Sequence, residues 1–414
     1  MTDVFIDRQI YKDLIDHLEE KEISVLIGPR QSGKTTLLRK IEEKVKLRGQ
    51  LVEYYNLDVL AHREVVQNQT AFINFLKGKL GQKPATIIID EIQRLKNPGQ
   101  FLKGIYDLNL PYKLIVSGSS ALEIKSSVSE SLTGRKKIFY LFPLSFDELV
   151  NFRRPDIKAL RGNQRLYQQE YLNLLNEYAQ FGGYPKVVLQ PTTEKKIEAL
   201  EEIYSSYIEK DIKGFFGVRN ETAFVTLVML LAGQIGGITN KNLLAANIGS
   251  NRQTVDNFLS YLEKSFVIQV VRPFFRNPEK EILKSPKIYF IDLGLRNTAV
   301  KNFNNFETRQ DKGQLLENFV LLKVLKEAGR LDKINFWRTK TKAEMDFVVQ
   351  RGMDIFPLEV KAGRLKSPTF SLSFKSFLDT YQPKQARLIN LNITGKRKIG
   401  LTKVRVQRFY EKIF

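Results

Sequence analysis

Residues 28–36 read GPRQSGKTT, and no other stretch constrains the chain as tightly. The run satisfies G-x-x-x-x-G-K-[ST]. An apolar segment, ISVLIG, precedes it, and a segment with Leu37, Leu38 and Ile41 on one helical face follows. Strand, glycine loop and helix in that order are the setting in which this motif cradles phosphate. Gly28 and Gly33 let backbone N–H groups curl round the anion, and Pro29, Arg30, Gln31, Ser32 and Thr36 complete the loop. The helix that follows turns the positive end of its dipole to the same point. Lys34 is expected to reach the β- and γ-phosphates of ATP, and the Thr35 hydroxyl to ligate Mg²⁺.

The strands that such a loop needs are legible downstream. LVEYYNLD (51–58) is the next one, and ATIIIDE (85–91) is a continuous apolar run ending in two acids. Parallel strands buried on both faces read this way, and their C-terminal ends are where open α/β sheets bind ligands. Asp90 is expected to hold the Mg²⁺ and Glu91 to orient the attacking water, the catalytic role. KLIVS (113–117) is a further strand. Ser117 at its end, with Ser119 next, is a candidate contact for the γ-phosphate or the water; a plain turn is the alternative. SLTGRKK then leads into a strand at 138–142, and Arg135 stands just before it. An arginine there either reaches a neighbouring subunit's γ-phosphate or makes a structural salt bridge.

ATIIIDEIQR, KLIVSGSSA and SLTGRKKIFYLFPLSFDEL together resemble a large family of prokaryotic AAA-like ATPases with a C-terminal domain of unknown function. FGGYPKVV (181–188), IYSSYIEKDI (203–212) and KIYFIDLGLRN (288–297) extend the resemblance over most of the chain. It implies a P-loop ATPase of the additional-strand catalytic-glutamate type. A helical region, a winged helix and a nuclease-like domain would follow. The divisions expected are residues 1–155, 156–220, 221–290 and 291–414.

Residues 238–264 carry a helix-turn-helix pattern. Thr239 or Asn240 caps a short helix, Gly249 breaks it, and Ser250 or Asn251 caps the next. In that second helix Val255, Phe258, Leu259 and Leu262 form one apolar stripe, while Asn251, Arg252, Gln253 and Asn257 face away from it. Such a helix fits a DNA major groove, with Arg272, Arg276, Lys280 and Lys284 meeting phosphates from a basic wing. Packing against protein is the alternative use of the same shape.

The last quarter reads helix (314–328), three strands (334–338, 344–350 and 354–361), helix (371–381) and strand (386–391). Strand parity puts Glu359 and Lys361 on one face. A hairpin turn near Gly352 brings Asp346 across from them. Two carboxylates so placed make an oxygen-rich Mg²⁺ site, with Lys361 positioning water and Glu317 supporting the metal from the helix. Asp346, Glu359 and Lys361 resemble the Asp…Glu-x-Lys signature of restriction-type endonucleases, which implies a PD-(D/E)xK nuclease-like α/β domain. Met345 stands where that pattern more often has proline. An inactive relic of the same site is the alternative.

Composition bounds the rest. Net charge is +21, which favours a polyanionic partner, DNA first. The tail reinforces this, with Lys396, Arg397, Lys398, Lys403, Arg405 and Arg408 interleaved with aromatics. Cysteine is absent and His17 and His62 are the only histidines, which excludes disulfides, thiolate sites and histidine-rich zinc sites. No apolar run approaches a membrane span. The expectation is a cytoplasmic ATPase with ATP and Mg²⁺ as cofactors, coupled to DNA. It would form a homo-oligomer through its ATPase domain and have no membrane partner. An ATP-switched regulator or a protein scaffold is the alternative.

Overall fold

The computed structural model describes residues 4–118, 132–159, 167–207, 220–275 and 284–414. The chain divides into two compact units, Met1–Leu144 with Lys264–Phe266, and Ser145–Glu263 with Val267–Phe414.

The first unit is built on five parallel strands: β1 (Ile23–Ile27), β2 (Leu51–Asn56), β3 (Ala85–Asp90), β4 (Tyr112–Gly118) and β5 (Lys136–Tyr140). Their spatial order is β2-β3-β4-β1-β5. Every residue of β1 and β3 is buried, as expected of parallel strands covered on both faces. The helices are α1 (Ile10–Asp16), α2 (Lys34–Leu47), α3 (Leu60–Val66), α4 (Gln69–Leu80) and α5 (Pro98–Asp107). Leu37, Leu38, Ile41 and Val45 of α2 pack against Leu26, Ile88 and Ile115 of the sheet. Burying each such side chain contributes on the order of 1.5–3 kcal/mol. Asn68 starts α4 by accepting from the Ala71 N–H, and Pro98 opens α5. Because β4 lies between β1 and β3, the phosphate loop and the Asp90–Glu91 pair leave the same edge of the sheet one strand apart.

The second unit opens with a capping box at Ser145 and Glu148 on α6 (Phe146–Arg153). Helices α7 (Pro155–Ala159), α8 (Gln168–Phe181), α9 (Pro185–Val188), α10 (Thr193–Ser206) and α11 (Glu221–Gly233) follow. Then come α12 (Lys241–Asn247) and α13 (Arg252–Lys264). Asn240 caps α12, and the Asn251 side chain accepts from the Thr254 N–H at the start of α13.

The strands of this unit make one mixed sheet of eight. They are β6 (Ile268–Pro273), β7 (Lys287–Phe290), β8 (Lys333–Arg338), β9 (Glu344–Arg351), β10 (Asp354–Lys361), β11 (Gln385–Asn390), β12 (Gly395–Ile399) and β13 (Thr402–Arg408). The order is β12-β13-β11-β10-β9-β8-β6-β7. Among the described residues the further α-helices are α14 (Leu293–Val300), α15 (Lys312–Glu327) and α16 (Leu372–Tyr381). The strands beside the expected wing, β6 and β7, therefore continue the C-terminal sheet, with Arg272 of β6 paired to Asn335 of β8. At the far edge, Lys396 of β12 faces Arg405 of β13, and Lys398 faces Lys403. No helix among the described residues is long and apolar enough to cross a membrane.

Candidate functional sites

The loop between β1 and α2 takes its shape from two left-handed residues, Gln31 (φ 58°) and Gly33 (φ 95°). Gly28 has a different constraint. A Cβ there would lie 2.0 Å from the Leu141 carbonyl oxygen, so only glycine fits. The Lys34 ammonium donates to the Gly28 and Pro29 carbonyls at 3.0 and 2.8 Å and so lies across the loop's mouth. The Ser32 hydroxyl is buried and has no hydrogen-bond partner. An ammonium laid on the loop and an unsatisfied hydroxyl suit an incoming phosphate.

Asp90 is the hub of the site. Its Oδ2 accepts from the Thr35 hydroxyl at 2.6 Å and from the Tyr54 hydroxyl at 2.9 Å. Its Oδ1 accepts from the Ser117 hydroxyl and from the Glu91 N–H. Thr35 and Asp90 thus form the hard-oxygen pair that a nucleotide-bound Mg²⁺ takes. Burial, then the Asp90 charge, pushes the Tyr54 phenol far above its ordinary range, which keeps it a donor. Glu91 sits at φ 59°, ψ 44°, a left-handed conformation that a non-glycine residue adopts at a cost of about 1–3 kcal/mol. Gln93 donates to its carboxylate.

Ser117 lies at the end of β4 beside the Asp90–Glu91 pair. It is fully buried and supports Asp90 and the Glu91 N–H, so it acts through those residues. Ser119 lies outside the described residues. Arg135 is held by Asp107 at 2.8 Å, and its carbonyl accepts from the Ile23 N–H. That places it at the start of β1, about 13 Å along the strand from the end that carries the phosphate loop. In its own subunit the guanidinium makes the salt bridge. Arg8, which the sequence did not flag, donates to the Ser32 and Phe142 carbonyls.

The second unit brings together the acids of its sheet. Strands β9 and β10 form the expected hairpin, turning at Gly352. The register Leu358 to Phe347 carried one step further sets Glu359 across from Asp346. Lys361 Nζ lies 2.8 Å from Glu359 Oε1, and Glu359 Oε2 is buried without a partner. Asp346 Oδ2 accepts from the Val360 N–H at 2.7 Å. Burial, then Glu317, pushes the Asp346 carboxyl well above the usual carboxylate range, with Lys287 pulling it back.

Glu317, from α15, is near but differently engaged. Its Oε1 accepts from Lys287 at 3.0 Å and from the Tyr289 hydroxyl. Glu344 Oε1 lies 2.6 Å from the same Lys287. The sequence did not flag Lys287 and Tyr289 of β7 or Glu344 of β9, because the two strands are far apart in the chain and KIYFID gives no local cue. A cavity of about 490 Å³ opens over Lys287, Glu317, Glu344 and Val360, walled by Gly233–Gly237. Among the described residues no three His, Cys, Asp or Glu side chains gather closely enough to hold a metal unaided.

FGGYP and IDLGLRN clamp onto each other. Asp292 accepts from the Gly183 and Leu295 N–H groups at 2.7 and 2.9 Å, and Asn297 donates to the Ala179 and Gln180 carbonyls. On α13, Asn251, Arg252, Gln253 and Asn257 are exposed, as are Arg272 and Lys284. Gln253 donates to Asn257, and Arg252 lies 3.9 Å from Asp256. Arg276 and Lys280 lie outside the described residues.

Residues 20–150 match the profile of an AAA domain. Residues 172–306 and 312–406 match two domains of unknown function, DUF8612 and DUF4143. The chain therefore carries an α/β P-loop domain of AAA type, with its five-stranded parallel sheet, followed by a mixed α/β region. An uncharacterised protein of Haemophilus influenzae is 24% identical over 377 residues, covering 87% of this chain and 88% of its own. Another, of Methanocaldococcus jannaschii, is 27% identical over 348 residues, covering 82% and 75%. Among solved structures, a Walker-type ATPase of Pyrococcus abyssi overlaps with a TM-score of 0.47 at 15% identity, over 71% of this chain and 96% of that one. A replication initiator, DnaA, bound to AMPPCP and single-stranded DNA overlaps with a TM-score of 0.31 at 16% identity, over 63% and 90%.

Proposed function

We propose that this chain hydrolyses ATP with Mg²⁺ and couples the hydrolysis to work on DNA. The observation that carries the ATPase reading is Asp90, which binds Thr35 at 2.6 Å while holding the Glu91 N–H. Thr35 and Asp90 would hold a Mg²⁺ ion, whose chemistry there would be to draw off charge developing on the phosphates. Lys34 leaves the loop carbonyls to meet those phosphates. Glu91, fixed by Gln93 and by its own unusual backbone, orients the attacking water and takes its proton. Ser117 and Tyr54 keep Asp90 in place.

For the second unit, α11 to α13 with the neighbouring strands serve as a winged helix that contacts DNA through the exposed face of α13. The C-terminal sheet is a restriction-endonuclease-like fold. Asp346 and Glu359 would hold a divalent ion, whose chemistry is to polarise a phosphodiester. Glu359 Oε2, buried and unpartnered, supports that assignment. Lys361 then stabilises the charge at the phosphorus. The engagement of Glu317 and Glu344 by Lys287 favours a second reading, an ATP-switched DNA-binding regulator that grips without cutting.

The test is ATP turnover with and without DNA at low salt. DNA is expected to stimulate turnover, and Lys34→Ala to abolish it. If DNA neither binds nor stimulates, the DNA reading is wrong and a protein scaffold takes its place. Mn²⁺-dependent cleavage that survives Lys34→Ala and is lost in Glu359→Ala separates cutting from gripping.

A further inference from the structure

The acidic cluster of the second unit falls into two halves. In one, Lys287 contacts Glu317 at 3.0 Å and Glu344 at 2.6 Å, and Tyr289 donates to Glu317. Lys287 is only 2% exposed, and its ammonium also lies 5.4 Å from the centre of the Phe336 ring. A buried ion pair adds little stability over apolar packing, so its presence at this position calls for a reason other than stability. In the other half the donors are incomplete. Asp346 has one oxygen on the Val360 N–H, Glu359 has one on Lys361, and the second Glu359 oxygen is buried with no partner.

We propose that Lys287 is a resident cation of this site. Its ammonium holds the Glu317–Glu344 half and confines a divalent ion to the Asp346–Glu359 half, one ion per chain. The inference rests on the reading of the cluster as a hard-cation site. Both an ammonium and a divalent ion need carboxylate oxygens, and Oε1 of Glu317 and Oε1 of Glu344 are already taken by Lys287. Without Lys287, Glu317 keeps the Tyr289 hydroxyl and Glu344 keeps Arg338, 3.2 Å from its Oε2, but the cation between the two carboxylates is gone, and a second divalent ion is the natural remedy. The lysine therefore decides between one-metal and two-metal occupancy. A cluster in which no three acids gather closely enough to hold a metal agrees with this division, since the lysine draws two of them to itself.

The experiment is a Mn²⁺ titration, read by the resonance of free Mn²⁺. It uses the full chain without nucleotide and with Thr35→Ala, so that the phosphate loop does not contribute. The parent is expected to bind one ion, lost in Glu359→Gln. Lys287→Met is expected to bind a second ion, or the first at least tenfold more tightly, and adding Glu344→Gln should return it to the parent's behaviour. Unchanged number and affinity in a folded Lys287→Met overturns the proposal. If that variant does not fold, Lys287→Gln replaces it, and the parent's stoichiometry also decides: two ions at saturation with Lys287 in place overturns the proposal. The failures are distinguishable. No ion in the parent but one Glu344-dependent ion in Lys287→Met sinks the nuclease reading and keeps the role of Lys287. A Glu359-dependent ion in the parent that Lys287→Met leaves unaltered does the reverse, and no ion in either chain overturns both.

Discussion

In the proposed mechanism Glu91 depends on its backbone as much as on its carboxylate. At φ 59° it leaves β3 at an angle that an extended residue would not adopt, and its N–H falls on Asp90 and Ser117. Glu91→Gln keeps that backbone and removes the proton acceptor. We expect ATP turnover to fall by roughly 10²- to 10⁴-fold with nucleotide binding intact, read by steady-state hydrolysis beside a fluorescent-nucleotide titration. Lys34, Thr35, Asp90 and Glu91 were legible in the sequence because a loop motif and a strand end place them by local chain geometry. Lys287, Tyr289 and Glu344 were not. Their meeting depends on β7 and β9 bringing distant segments to one cavity, and no local spacing encodes that. For Ser117 the sequence offered the position but not the contact with Asp90, since a strand end does not say which side its hydroxyl turns to.

Among the elements, the clamp between FGGYP and α14 is the most exacting. Gly182 ends α8 at φ 70°, ψ −157°, a region kept almost entirely to glycine, and a Cβ there would lie 2.2 Å from Asp292 Oδ1. Gly182→Ala should cost at least about 1–3 kcal/mol, measured as a lowered urea midpoint. The start of α15 offers a pH test. Burial raises the Asp311 carboxyl, but Arg309 and Arg296 outweigh it and hold the group at about 2. A carboxylate whose folded value lies below its unfolded value, roughly 4, stabilises the fold above that pH and loses the contribution as pH falls towards 2. Asp311→Asn should therefore lower stability at neutral pH and flatten the decline between about 4 and 2, seen in urea midpoints across that range. The hairpin at Gly352 and the helices of the last quarter were readable from alternation and breakers. The union of β6 with β8 was not, because parallel pairing between Arg272 and Asn335 leaves no turn signal between them.

For the whole molecule, the net charge of +21 predicts how any DNA affinity will behave. If about four phosphates are neutralised, affinity should drop roughly a hundredfold between 50 and 200 mM salt, read by filter binding at several ionic strengths. A flat profile would remove the phosphate-contact argument. The first unit also ties its phosphate loop to the segment by which the chain leaves it. The chain leaves that unit at Leu144, and the segment just before this exit is fastened to the phosphate loop in three ways. Leu141 N–H donates to the Ile27 carbonyl, Gly28 presses against the Leu141 oxygen, and Arg8 ties the Ser32 and Phe142 carbonyls together. Under the proposed ATPase reading, a loop that closes on a γ-phosphate would carry residues 141 and 142 with it, so the segment that carries the chain onward would be the first to register the loss of that phosphate.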